Sequence, residues 1–290
     1  MNMKLKKRLI LAAIVLTVTL AFAGCGASSG ESTLERAQNE GSVTIGFANE
    51  KPYAYETADG KLTGEAVEVA RAVLNNLGIE ELNGELTEFG SLIPGLNAKR
   101  FDMITAGMFI TPDRAQEVSF ANPEYRVGEA IAVTAGNPLN IKSYEDIAAH
   151  DSARVAVPGG AIEYEYLIKV GVPEDRIITV PDMPSALSAL QAGRAEVITA
   201  TGPSLQATLD TANDDDIERV VDFTQPVIDG ESVVGYGATA FRKEDQDFVD
   251  AFNAELNKLQ ESGELLEIIE PFGFTEAELP GDVTVEDLVQ

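Results

Sequence analysis

Few residues in this chain could make or break bonds, and more of them could hold a charged molecule. Its 290 residues include one histidine, His150, and one cysteine, Cys25. His150 follows Ile147-Ala-Ala in a polar run and reads as a surface residue rather than a general base. The sequence has no Gly-rich phosphate loop, metal-spaced His/Cys cluster or nucleophile elbow. Carboxylates abound, but in so acidic a chain their spacing carries no information. Binding chemistry is better represented. Arg114, in Thr111-Pro-Asp-Arg, offers a planar, permanently charged fork that bonds a carboxylate through two N–H groups. The competing role for Arg114 is pairing with Asp113 or Glu117. Glu50 precedes Lys51-Pro52-Tyr53, Phe89 leads a helical run, and Phe109 precedes the Thr-Pro turn. A carboxylate with aromatic faces suits a delocalised or alkylated cation. Taken singly, each of these rings also reads as core.

The elements around them follow a strand–helix alternation. Ser42 to Phe47 reads as a strand, followed by the loop carrying Glu50 and Tyr53. Asp59-Gly60 signals a turn, and Gly64 to Leu77 a helix with Ala66, Val69, Ala70, Val73 and Leu77 on one face. Ser91 caps a short helix through Ala98, and Phe101 to Ala106 is a strand buried on both faces. Gly107 ends it, and Met108 to Ala115 is a loop at the strand's carboxyl end, where open α/β sheets take their ligands. Strands separated by such helices predict a parallel sheet with right-handed crossovers.

Gly128 to Thr134 and the polar Ala135-Gly-Asn-Pro-Leu read as a crossing into a second lobe, where the pattern restarts. Expected there are strands at 154–157, 177–180 and 196–200 and helices at 162–170 and 185–192. Val233 to Phe241 reads as the return crossing, and Asp245 to Leu259 as a final helix with Phe248, Phe252, Leu256 and Leu259 at helical spacing. The implied organisation is one lobe from 34–134 with 239–290, and a second inserted at 135–238. Two crossings make a hinge, with a ligand in the cleft between lobes.

The first residues read as a targeting segment. Lys4, Lys6, Lys7 and Arg8 precede an apolar run from Leu9 to Phe22, shorter than the ~20 residues of a spanning helix. Cys25 after Ala23-Gly24 reads as a lipidated first residue, with 1–24 as lipoprotein signal peptide and 25–33 as a flexible tether. An ordinary secretory signal with an incidental cysteine is the alternative. The net charge of −27 becomes −31 once the four basic signal residues and no acidic ones are removed. That excludes nucleic acid as a natural partner and leaves a lipid anchor as the only expected membrane contact. With 44% hydrophobic residues the chain is an ordinary globular α/β protein, the acidity belonging to its solvated surface.

Leu92 to Leu96, Arg100 to Ile104, Gly107-Met108, Thr111 to Ala115 and Ser119 to Tyr125 together resemble the solute-binding proteins of the polar amino acid class (family 3) that serve ABC importers. The resemblance runs from about Leu34 to Phe272. It implies a type II periplasmic-binding-protein fold: two α/β lobes, a two-strand hinge and a ligand cleft between them. It also implies a monomeric, extracytoplasmic binder without cofactor, metal or catalytic residue, whose partners are a small solute and ABC permease subunits.

By the same resemblance Arg114 holds the ligand carboxylate, and the loops of Glu50, Tyr53, Phe89, Phe109 and Thr111 face the cleft. Amino-acid binders of the family usually place an Asp at the end of the second lobe's last strand to hold the ligand ammonium. Thr201 stands there instead, against a free α-amino acid. Phe-Ala-Asn-Glu-x-Pro-Tyr, Lys-Leu-Thr-Gly-Glu-Ala and the Phe109/Arg114 spacing are similar to the ectoine- and hydroxyectoine-binding members. Ectoine, a cyclic amidinium carboxylate, matches the residues independently: carboxylate to Arg114, cation to Glu50 and the rings. Gly160 and Ala161 open a second-lobe helix whose free N–H groups could meet the carboxylate, unless Gly159-Gly160 is only a turn. Thr199 and Thr201 could add polar contacts. The rival expectations are a binder of polar or cationic amino acids, a dehydratase on the same fold, which needs a buried Glu50 of raised pKa as acid or base, and a sensor module, for which no segment follows Gln290.

Overall fold

Apolar stretches interrupted by glycine and proline produce sixteen short strands and eleven helices among the described residues. The computed structural model describes residues 30–228 and 230–289. The expected signal segment, Cys25 and the start of the expected tether lie outside them. The tether's last residue, Thr33, already opens helix α1 (Thr33–Glu40).

From α1 the chain forms β1 (Ser42–Phe47), then the hairpin β2 (Tyr55–Glu56) and β3 (Leu62–Thr63) around Asp59-Gly60. Helix α2 (Glu65–Asn76) buries Ala66, Val69, Ala70 and Val73, one turn apart as the spacing requires. β4 (Glu81–Leu86), whose polar residues break the apolar pattern of a strand, pairs with β1 along its whole length. A single 3₁₀ turn, Phe89–Ser91, then leads into α3 (Leu92–Asn97). Ser91 precedes α3 as expected, but its side chain makes no capping bond. Strand β5 is only Met103–Ile104, shorter than the expected 101–106, though Phe101 and Ala106 are buried beside it. The expected loop at 108–115 contains a helix, α4 (Pro112–Glu117). Thr111 caps it with Oγ1 3.2 Å from the Arg114 N–H, and Pro112 takes the first turn, where no N–H is needed.

After β6 (Ser119–Phe120) and β7 (Tyr125–Val127) the chain enters β8 (Glu129–Thr134) and the second lobe. There follow α5 (Tyr144–Ala149), β9 (Val155–Pro158), α6 (Ile162–Lys169), β10 (Ile177–Val180), α7 (Met183–Gln191), β11 (Val197–Thr201), α8 (Gly202–Ala212) and β12 (Ile217–Arg219). α7 starts two residues earlier than expected because Asp182 caps it. A small hairpin of β13 (Val227–Ile228) and β14 (Glu231–Ser232) precedes the return through β15 (Gly235–Gly237) and β16 (Ala240–Phe241). Helices α9 (Gln246–Ser262), α10 (Glu264–Ile269) and α11 (Val285–Leu288) close the described chain.

Two five-stranded sheets result, in the orders β4-β1-β5-β16-β6 and β10-β9-β11-β8-β12. Neither is wholly parallel, contrary to expectation. β16 runs antiparallel to β5 and β6, and β8 antiparallel to β11 and β12. These strands carry the chain between lobes, so they join their sheets without a crossover helix to set a parallel direction. Between the sheets, β7 and β15 form a two-strand antiparallel ribbon, Tyr125 opposite Gly237 and Val127 opposite Gly235. This is the type II periplasmic-binding fold, with two α/β lobes. In the first lobe's core the Phe241 ring lies 5.0 Å from that of Phe248 and 5.5 Å from that of Phe252. Burying each such ring contributes roughly 1.5–3 kcal/mol, which makes a firm base for the loops above. No described helix is long and apolar enough to cross a membrane.

Candidate functional site

The loops that end the first lobe's strands carry the charged and aromatic groups. After β1, Glu50 and Ala54 exchange backbone hydrogen bonds in a tight turn. The first N–H groups of α2, from Glu65 and Ala66, donate to the carbonyls of Pro52 and Tyr53. That helix terminus therefore anchors the loop and turns the Tyr53 ring inward, onto Tyr125 at 5.2 Å. Gly107, at φ 68°, leaves room for this ring: a Cβ there would lie 2.4 Å from it. Arg114 projects from the first turn of α4. Its Nη1 donates to Phe109 O at 2.9 Å, and its guanidinium lies 5.5 Å from the Phe89 ring.

The second lobe answers with the end of β11 and the starts of α6 and α8. Among the described residues, hydrogen bonds cross the cleft from Arg114 Nη2 to Gly160 O at 2.9 Å, between Tyr53 Oη and Thr201 Oγ1 at 2.7 Å, and from Ser204 Oγ to Glu50 Oε1 at 2.5 Å. They border a small cavity between the lobes. Glu50, Tyr53, Phe89, Phe109 and Arg114 line it from the first lobe, and Ala161, Ile162, Glu163, Ala200 and Thr201 from the second. Glu50 and Phe89 also wall a larger neighbouring groove, where Tyr55, Met183 and Leu187 contribute apolar surface.

Seven of the nine residues expected at a binding site thus face one cavity. The other two act beside it. Thr111 caps α4 and so fixes Arg114, while Gly160 presents its carbonyl to Arg114. The Ala161 N–H donates to Pro158 O. Thr199, by contrast, is turned away, its hydroxyl bonded to Tyr144 Oη and Ala130 O. Two functional groups were not anticipated. Glu163, in the first turn of α6, is 4% exposed and lines the cavity. Ser204 holds Glu50. An acid in a helix's first turn is the ordinary response to the helix dipole, so nothing set Glu163 apart in a chain with 48 acidic residues.

Enclosure sets the electrostatics. Burial pushes Glu50 up to about 7, against the Ser204 hydrogen bond, and the charge of Glu163 adds to the rise. Glu163 is raised by burial too, but its own backbone N–H, the charge of Arg114 and the Thr201 N–H favour its ionised form. Burial lowers Arg114, with Glu163 and Glu165 restoring part of its charge preference. One cavity thus offers a guanidinium, two carboxyl groups and three aromatic rings, a complement for a small molecule of both charges.

A profile of the family described as bacterial extracellular solute-binding proteins, family 3, matches residues 43–275. The chain belongs to that family. It is a solute-binding protein of the amino-acid type of ABC transporter, a class that takes up small ligands and passes them to permease components. Among curated relatives, the "Probable amino-acid ABC transporter periplasmic-binding protein y4tE" of Sinorhizobium fredii is 39% identical over 248 residues, which cover 85% of this chain and 81% of that one. The solved structure of EhuB in complex with hydroxyectoine is 40% identical with a TM-score of 0.82, covering 90% of this chain and 98% of that one. The ancestral amino acid-binding protein AncCDT-1, described as a precursor of cyclohexadienyl dehydratase, is 26% identical with a TM-score of 0.71, covering 83% and 99% respectively.

Proposed function

We propose that this family 3 protein captures ectoine or hydroxyectoine outside the cytoplasm and delivers it to its permease. The observation that carries the reading is the composition of one enclosed cavity: Arg114, Glu50 and Glu163 with the rings of Tyr53, Phe89 and Phe109. A guanidinium matches the ligand carboxylate, and the carboxylates with π-faces match an amidinium. The likeness to hydroxyectoine-bound EhuB supports the same ligand class. In this reading residues 34–128 with 239–290 form the lobe holding Arg114 and Glu50, and 129–238 the inserted lobe that closes on it, β8 counting with the sheet it joins rather than with the first lobe as expected. Cys25 carries a lipid anchor after removal of 1–24, and the protein works as a monomer.

A binder of polar or cationic amino acids is the second reading, and Glu163 favours it. Thr201 lacks the carboxylate expected for a ligand ammonium, yet Glu163 brings one to the same wall of the cavity. Calorimetry on residues 26–290 with ectoine, hydroxyectoine, proline betaine, glutamine, arginine and histidine separates the two. Tight one-to-one binding of an ectoine with silent amino acids is expected, whereas an amino acid binding alone would sink the ectoine assignment. The chain has no Trp, so calorimetry reads this better than quenching. Glu50, raised to about 7, also meets the condition set for an acid or base on this fold. Recovering the ligand chemically unchanged after incubation is the outcome expected of a binder.

A further inference from the structure

One buried group beside the cavity has no role in the contacts so far. Glu129 begins β8, opposite Thr201 in the ladder with β11, and is 2% exposed. Neither of its carboxyl oxygens meets an N–H or O–H donor. Its main chain is firmly held: Glu129 N–H donates to Gln225 Oε1 at 2.8 Å, and Gln225 Nε2 to Glu129 O at 2.7 Å. The side chain is therefore committed to the interior.

An ionised carboxylate buried without a donor is a costly arrangement, and protonation relieves it. The Glu163 carboxyl neighbours that of Glu129, and Glu163 also feels its own N–H, the Thr201 N–H and the positive field of Arg114. Of this pair, Glu163 is equipped to stay ionised and Glu129 to keep the proton. The other titratable groups facing Glu129 are Glu50, whose charge opposes ionisation of Glu129, and the hydroxyls of Tyr53, Tyr144 and Tyr166. Burial, then the charge of Glu163, raises Glu129 well above the usual carboxylate range.

We propose that Glu129 is a positioning residue that enters the closed cleft as a carboxylic acid and donates its O–H to the Glu163 carboxylate, so that ligand capture takes up about one proton. Glu129 and Glu163 belong to the second lobe; from the first, Glu50 and Tyr53 face Glu163 across the cavity, and Tyr53 bonds Thr201, the ladder partner of Glu129. Parting the lobes admits water to the pair, and closing expels it, which is when the proton is bound. The proton moves from buffer to a Glu129 oxygen, and no other bond changes. Glu50 stays ionised against the ligand cation. This rests on reading the cleft as a site for a cation-bearing solute.

The test is calorimetry of residues 26–290 with hydroxyectoine at pH 7 in phosphate and in Tris, whose different ionisation enthalpies count protons. The parent takes up between about half and one proton, and its affinity falls by up to about tenfold per pH unit above pH 7. Glu129→Gln, whose amide donates permanently, binds within about tenfold of the parent with no proton taken up. Glu129→Leu, with no donor, loses roughly 10- to 100-fold in affinity. Equal proton counts in the parent and Glu129→Gln overturn the proposal. If Glu129→Gln does not fold, Glu129→Leu takes its place in the proton count: loss of the parent's uptake supports the proposal, and a parent-like count overturns it. If hydroxyectoine is silent and arginine binds, the ligand assignment falls, and the same proton comparison is made with arginine.

Discussion

Arg114 is held by its own loop through Phe109 O and by the other lobe through Gly160 O, so its position depends on closure as well as on sequence. Replacing it with alanine removes a charged partner and leaves Glu163 with one fewer cation. An affinity loss of about 100-fold or more is expected from calorimetry, and Arg114→Lys recovers only part because a point charge cannot reproduce the fork. Glu163→Gln keeps the shape and removes the charge, for a loss of roughly 10- to 100-fold in the same measurement. The groups legible in the sequence were those in short, fixed-type loops: Glu50 before Lys-Pro-Tyr, Phe109 and Arg114 around Thr-Pro. Glu163, Glu129 and Ser204 were not, because each is an ordinary type at an ordinary position. Only the folded cleft shows that they meet.

At the level of elements, the alternation of strands and helices was readable because buried strands and amphipathic helices leave different periods. The direction of β8 and β16 was not, since antiparallel entry follows from the chain changing lobes, which no local pattern records. Polar β4 and the capped helix α4 escaped for the opposite reason: pairing and capping outweighed a weak apolar signal. The turn at Gly160 carries the sharpest consequence. It sits at φ 81° against the other lobe, and a Cβ there would come 2.5 Å from Gly90 Cα. Gly160→Ala should hold the lobes apart. Faster ligand release and an affinity loss of about tenfold or more are expected by stopped-flow mixing and calorimetry. The left-handed backbone adds ~1–2 kcal/mol of strain, so Tm falls by only about 2–8 °C.

Across the whole molecule, burial raises Glu50, Glu65, Glu124, Glu129 and Glu163 together. A carboxyl whose folded value lies above its unfolded value stabilises fully below about 4.5 and loses that contribution as pH rises. For Glu124, raised to about 7 and held against Thr239 inside the first lobe whether the cleft is open or shut, the loss falls between about 4.5 and 7. Glu196 beside Arg154 and Asp222 beside Lys142 are lowered, and their contributions vanish only in more acidic solution. Thermal unfolding of the unliganded protein should therefore peak near pH 5 and drop by roughly 5 °C by pH 8. A Tm that rises across that interval would mean these carboxyls are wetter than their burial indicates.

The strand order of the first sheet also dictates when the protein can finish folding. β16, near residue 240, lies between β5 and β6, both made before residue 121. As the chain emerges from its amino end, the first half of that sheet must wait with an open seam while the whole inserted lobe is produced. The second lobe has all five of its strands by residue 219 and can settle first. The earliest-made lobe is thus the last to be completed, and a chain cut short before Phe241 lacks the strand that joins its two edges.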